Sequence, residues 1–224
     1  YLKKLNVKKI QTIGNIKYIE NNKTLNKKVD NDLSILFKQL KICVAASTHH
    51  TEEIFAAKAH LILKKKHRNF ITIIIPRHVH RANKISEQLE ALNLKVAYHS
   101  SKNKNLNGVD IYIVDTFGES KKFYKIATTV FLGGSLINHG GQNPIEPARF
   151  GAKILHGPNI GNFKEVYKHL KNLKISKKIT TPIEFANSNV FKKNMQKVGK
   201  INYQGKIILK KTIKELNKSI NNEL

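Results

Sequence analysis

Arg77 stands directly behind the run Ile71-Thr72-Ile73-Ile74-Ile75 and the stop of Pro76. A guanidinium held at a strand end can grip a phosphate through two parallel N–H bonds, and His78 beside it can donate to the same group. Taken alone, a solvated turn residue is the lesser alternative for Arg77. A second polar group, Ser47-Thr48-His49-His50-Thr51-Glu52-Glu53, follows the apolar run Ile42-Cys43-Val44-Ala45-Ala46. Ser47 and Thr48 suit a helix cap or a phosphate contact, and no Ser-His-Asp arrangement makes either a nucleophile. The nearby histidines and glutamates lack His-Glu-x-x-His spacing, and His78-x-His80 lacks further ligands, so no metal site is expected. A third group is Asp115-Thr116-Phe117-Gly118-Glu119. The most informative stretch runs from Gly133-Gly134-Ser135 to Gly140-Gly141-Gln142-Asn143-Pro144-Ile145-Glu146-Pro147. Glycines let backbone N–H groups approach a phosphate, and a helix start offers unpaired donors. Pro144 at the first helical position removes no needed donor. Glu146 in the first turn suits the helix dipole and can accept from sugar hydroxyls. A Gly-rich turn with an ordinary cap covers each of these residues singly, but not their combination.

These groups recur because the elements before them alternate. Short apolar runs predict strands over 42–46, 70–75, 94–98, 110–114, 129–132 and 153–155. Helical patterns lie over 52–66, 82–92, 120–127, 144–150, 163–171 and roughly 204–220. Asp30-Asn31-Asp32 ahead of Leu33, Ile35, Leu36, Phe37 and Leu40 reads as a cap and an amphipathic helix rather than as a metal-binding Asp-x-Asp. Alternating strands and helices with near-continuous apolar strands predict an α/β fold, a Rossmann-like, doubly wound parallel sheet. In such a sheet ligands bind beyond the carboxyl ends of the strands, where all four polar groups fall. The reading is a crossover segment and lead-in helix over 1–40 and one Rossmann-like domain over 41–224.

The chain has 224 residues, 41 Lys+Arg against 15 Asp+Glu, and a formal charge of +26. Such a charge attracts phosphorylated ligands, anionic membrane or nucleic acid. The excess is almost all Lys beside abundant Asn and Ile, the residue set an AT-rich genome also writes. Basic residues are scattered rather than interleaved with aromatics, which argues against nucleic acid. One Cys excludes a disulfide scaffold, and Cys43 in its apolar run is expected to be a buried, inert thiol. No apolar run approaches the ~20 residues of a membrane-spanning helix, and no signal-peptide pattern opens the sequence. The chain begins at Tyr1 and its one Met is Met195, so it is expected to be a piece of a longer translation product.

Taken in order, Ala46-Ser47-Thr48-His49…Glu52-Glu53, Pro76-Arg77-His78, Asp115-Thr116-Phe117-Gly118-Glu119, Gly133-Gly134-Ser135…Gly140-Gly141-Gln142-Asn143-Pro144-Ile145-Glu146-Pro147 and Gly157-Pro158…Asn162-Phe163 resemble the 3-deoxy-D-manno-octulosonic acid (Kdo) transferases of lipopolysaccharide synthesis. Gly14-Asn15-Ile16-Lys17-Tyr18 is similar to the segment entering the second half of those enzymes. The resemblance covers residues ~10 to ~171 and implies the C-terminal, donor-binding domain of a GT-B glycosyltransferase. It implies transfer of Kdo from CMP-Kdo to a lipid A precursor, with inversion and no essential metal or other cofactor. By position, Pro76, Arg77 and His78 would meet CMP, with Phe117, Gly118 and Glu119 as a second part of that site. Asn143, Pro144, Ile145 and Glu146 would form a third, and Lys17 would stabilise transition-state charge. Ser47, Thr48, Gly133 and Gly134 are secondary candidates.

Thr51 stands where the family usually has Gly, and Phe117 where it commonly has Met. The family's catalytic base, acceptor surface and membrane anchor lie in an N-terminal half with no counterpart in this sequence, so the chain alone is expected to be inactive. The implied location is the cytoplasmic face of the bacterial inner membrane. The rival readings are another nucleotide-sugar enzyme of the same fold and a basic nucleic-acid-binding module.

Overall fold

The apolar runs form six strands and an unexpected seventh joins them in the computed structural model, which describes residues 13–15, 18–19, 31–102 and 105–221. They are β1 (Lys41–Thr48), β2 (Phe70–Pro76), β3 (Val96–Tyr98), β4 (Ile111–Ile113), β5 (Thr129–Leu132), β6 (Lys153–His156) and β7 (Ser176–Lys178). Every pairing is parallel, in the order β3-β4-β2-β1-β5-β6-β7. From β1 the chain first builds outward through β2, β3 and β4, then returns to place β5 on β1's other side. The switch point thus lies between β1 and β5, where loops leave the carboxyl edge in opposite directions and open a crevice.

Between the strands run α1 (Asn31–Leu36), α2 (Glu52–Lys66), α3 (Ala82–Glu90), α4 (Ser120–Ile126), α5 (Ile145–Arg149), α6 (Lys164–Asn172), α7 (Pro182–Ser188) and α8 (Met195–Asn221). Strand side chains alternate between faces. Cys43, Ala45, Ile74, Ile111, Ile113 and Phe131 face one core, filled from α2, α3 and α7 by residues such as Ala56, Leu63, Leu89 and Phe185. Tyr112 points the other way, where Phe37 meets it edge-on at 5.2 Å and Phe123 of α4 packs at 6.1 Å. β2 is buried along its whole length, as a central parallel strand must be. Cys43 lies in this core, and burial pushes its thiol far above the ordinary range, which leaves it protonated and inert.

Several boundaries differ from the sequence reading. β1 runs on through Ser47 and Thr48, with a bulge at Ser47, whose φ is 54°. β3 starts at Val96 rather than at 94, because the backbone of Asn93 and Leu94 closes the turn after α3. α8 begins nine residues earlier than the expected 204, by subtraction of its first residue number. β7 and α7 were not expected at all. β7 reads Ser-Lys-Lys, with only Ser176 buried, so its pairing to β6 and not its composition makes it a strand. α7 did carry a signal: Thr181 and Glu184 form a reciprocal capping box around Pro182. The cap expected at Asp30 lies outside the described residues.

Contacts divide the chain into two compact units, Lys28–Val198 and a second made of Tyr1–Lys27 with Gly199–Leu224. The first holds the whole sheet. In the second, Gly14 lies against Ile208, Tyr18 and Ile201 are buried, and Leu209, Ile213, Leu216 and Ile220 are exposed along α8.

Candidate functional site

The two buried glutamates that open α2 organise the carboxyl edge. Glu52 accepts four backbone N–H bonds: from His49 (3.0 Å) and Gly134 (2.7 Å) on one oxygen, and from Ser135 (3.1 Å) and Leu136 (3.0 Å) on the other. It therefore ties the loop after β5 to the end of β1. Glu53 takes the Arg81 guanidinium through two bonds of 2.9 and 3.3 Å, which fixes the turn after β2. Their place in the first turn of α2 puts both carboxylates at the positive end of a 15-residue helix. The sequence reading placed these residues at the ligand edge and weighed them as metal ligands, but gave them no positioning role. The missed signal was position, since acids at the start of a switch-point helix face the N–H-rich loop across the crevice.

Gly133 is required by this closeness. A Cβ there would sit 2.6 Å from the Thr48 Cα, on top of the Ser47 carbonyl and 2.7 Å from Glu52. The Gly133 N–H donates to the Ala46 carbonyl (2.9 Å), and those of Gly134 and Ser135 to Glu52. These amides are thus already engaged, which corrects the expectation that Gly133 and Gly134 cradle phosphate. Their role is to let β5 and its loop seat against β1. Neither Ser47 nor Thr48 caps α2: its N-cap is Thr51, whose side chain makes no cap bond.

At the edge so built, Arg77 is exposed at the end of β2, and its N–H donates to the Thr48 carbonyl at 2.9 Å. Its guanidinium has no ion-pair partner among the described residues. Three imidazoles from three loops gather at this same edge of the sheet. The His49 ring lies 4.4 Å from that of His139 and 6.1 Å from that of His78. Burial, then the charges of His139 and His78, hold His49 below the usual histidine range, against an opposing pull from Glu53. Among the described residues, Thr48 Oγ1, His49 Nε2 and Thr116 Oγ1 at this edge are buried without a hydrogen-bond partner. His139 was not singled out in the sequence, and Glu52 was placed at this edge there without a positioning role. Among the described residues no three His, Cys, Asp or Glu are placed to hold a metal ion.

The loop after β4 projects Phe117, which is 87% exposed, beside Gly118 at φ 84°. Asp115 behind it accepts from the Ser100 N–H (2.9 Å) and hydroxyl (2.5 Å), joining this loop to the one after β3. Glu119 pairs with Lys122 at 2.8 Å, and Lys121 reaches Glu146 at 3.0 Å, so the second and third expected groups are linked through α4 and α5. α5 is one short turn, and Asn143 Oδ1 accepts from the Ile145 N–H at 3.1 Å. The Ile145 N–H, a donor expected there for a ligand, is therefore spent, and one oxygen of Glu146 is taken by Lys121. Pro144 precedes this turn and Ile145 is buried behind it. Lys17 lies outside the described residues.

No protein-family model matches the chain. Over 164 residues it is 34% identical to the 3-deoxy-D-manno-octulosonic acid transferase of Haemophilus influenzae, a match covering 72% of this chain and 38% of that enzyme. The chain thus spans well under half the length of the curated relatives it matches. The crystal structure of the C-terminal CMP-Kdo binding domain of WaaA from Acinetobacter baumannii superposes with a TM-score of 0.67 at 21% identity, covering 80% of this chain and 95% of that one. Trehalose-6-phosphate synthase OtsA follows at 0.54 and 11% identity, covering 92% of this chain and 49% of the synthase. The chain is a homologue of the Kdo transferases and carries the fold of a GT-B glycosyltransferase C-terminal domain.

Proposed function

We propose that this chain is the donor-binding part of a Kdo transferase and holds CMP-Kdo at the β1–β5 crevice. The observation that carries the reading is the cluster of His49, His78 and His139 at the carboxyl edge, with the exposed Arg77 next in the chain to His78 at the end of β2. Arg77 and His78 take the phosphate. The Phe117-Gly118-Glu119 loop and the Asn143–Glu146 turn take the nucleoside, with Phe117 offering a ring face and Asn143 and Glu146 hydrogen bonds. Glu52, Glu53, Gly133 and Gly134 are positioning residues.

The reaction breaks the bond between the sugar's anomeric carbon and a phosphate oxygen, which keeps the electron pair. The acceptor hydroxyl, from a lipid A precursor on this reading, forms the new bond from the opposite face, and its proton passes to a carboxylate. Arg77 and His78 meet the charge growing on CMP, with Lys17 assigned the same task from the resemblance alone. No bound metal is required, since these side chains provide the cationic field. The base, the acceptor surface and attachment to the cytoplasmic face of the inner membrane are assigned to the part of the relatives that this chain does not match.

Calorimetry of the 224-residue chain with CMP and with UDP tests the donor site. CMP is expected to bind, UDP to bind at least about tenfold more weakly, and Arg77→Ala to weaken CMP by about tenfold or more, the scale of one charge-assisted pair. Equal binding of CMP and UDP overturns the cytidylate assignment, and indifference to Arg77→Ala overturns the site. Binding to any oligonucleotide that collapses with salt and ignores both Arg77→Ala and Glu146→Ala would instead favour the nucleic-acid reading.

A further inference from the structure

At the opposite edge of the sheet, around the amino end of β6, lies a cavity of about 590 Å³. Its wall is built by the turn after α5, the start of β6, the residues before β7 and the segment leading into α8. The Asn194 N–H donates to the Gly151 carbonyl at 2.9 Å, which anchors that segment. Gly151, at φ 79°, leaves room for Met195, whose Sδ would lie 2.7 Å from a Cβ there.

Five lysines line this cavity, Lys153, Lys174, Lys192, Lys193 and Lys197, and none of its lining residues is Asp or Glu. Lacking carboxylates, the ammonium groups bond to backbone carbonyls. Lys153 and Lys197 both reach the Lys174 carbonyl, at 3.1 and 3.4 Å, and Lys193 donates to the Lys125 carbonyl. Burial first, then the charges of Lys197 and Lys177, hold Lys153 below the usual lysine range, and burial pushes Lys193 down to about 8. Lys153 and Lys193 are thus part-desolvated, and among the described residues no carboxylate lines the cavity to balance its charge. Ammonium groups serve as point charges for phosphate, and a cavity of this size is in the range of small-molecule sites.

We propose that this cavity is a second anion site, which takes a ligand bearing two or more phosphate charges, whether soluble or carried on a lipid headgroup. It lies at the edge remote from the CMP crevice, so its occupancy is independent of the donor reading.

The test titrates the 224-residue chain with pyrophosphate at fixed ionic strength. The triple variant Lys153→Gln/Lys193→Gln/Lys197→Gln is expected to lose about tenfold or more in affinity. A control of equal charge loss on exposed lysines, Lys65→Gln/Lys66→Gln/Lys84→Gln, is expected to lose less than about twofold. The triple with Arg at the same three positions should retain binding. Should the Gln triple fail to fold, Lys197→Gln alone is expected to lose about threefold. CMP affinity, measured in parallel, should not change in any variant, so failure of the donor site and failure of this one are told apart. Vesicles of phosphatidic acid in phosphatidylcholine separate the two sources. Retention that the Gln triple loses and pyrophosphate reverses assigns a lipid headgroup, and pyrophosphate binding without retention assigns a soluble ligand. Equal losses in the site and control triples, or no loss in Lys197→Gln, overturn the proposal, because affinity would then follow net charge alone.

Discussion

Thr51 sits in left-handed backbone at φ 77°, at the start of α2. A β-branched residue there costs roughly 1–2 kcal/mol relative to its preferred regions, against roughly 0.5–1 kcal/mol for the extra freedom a glycine loses on folding. Thr51→Gly is therefore expected to stabilise the chain by up to about 1 kcal/mol, read as a higher midpoint in urea. Glu52 makes the opposite case. Its two oxygens are both consumed by N–H donors, and an amide there can satisfy only one pair while turning its own NH₂ against the other. Glu52→Gln is expected to cost about 3 kcal/mol and to weaken CMP binding, though Glu52 is assigned no contact with the nucleotide. Unchanged stability in urea would show that the β5 loop holds its place without this carboxylate.

At the scale of elements, α2 is fastened at its start by Glu52 and Glu53 and at mid-length by His60. His60 is fully buried, 3.1 Å from Thr72 Oγ1 on β2 and 3.4 Å from Asp110 before β4, and Lys64 reaches the same carboxylate at 3.2 Å. Burial pushes the imidazole down to about 4, against the raising pull of Asp110. The folded chain thus keeps His60 neutral where the unfolded chain protonates it near pH 6.5. Stability tied to this residue is whole above pH 6.5 and is lost as pH falls from 6.5 towards 4, by at most about 3 kcal/mol. Denaturation midpoints measured across that window should fall steeply in the wild type and more gently in His60→Gln. Parallel slopes would show that His60 is not what acid attacks.

For the whole molecule, the formal charge of +26 is the dominant electrostatic fact. Self-repulsion of this size acts against the compact state and weakens as salt shortens the Debye length from about 10 Å at 0.1 M towards 3 Å at 1 M. The thermal midpoint is expected to rise by a few degrees between 0.05 and 0.5 M sodium chloride. A midpoint that falls would mean that ion pairs such as Arg81–Glu53 outweigh the repulsion. Among the described residues no helix is long and apolar enough to cross a membrane.

The parallel sheet, most of its strands and the four polar groups at its carboxyl edge were legible in the sequence, because runs such as Ile71–Ile75 admit burial on both faces and little else. Residue types also sufficed for Arg77 and His78, which need only a strand end to be placed. Three things were decided by tertiary structure. β7 is a strand because β6 offers it hydrogen bonds, whatever Ser-Lys-Lys prefers alone. Gly133 and Gly134, which looked like phosphate-cradling residues, give their N–H groups to Ala46 and Glu52, partners 87 and 82 positions away by subtraction of residue numbers. His49, His78 and His139 become one cluster only when β1, β2 and β5 lie side by side. Local pattern reports which face of an element is apolar and where it stops, whereas hydrogen-bond partners and clustered charges depend on which strand ends the fold makes neighbours.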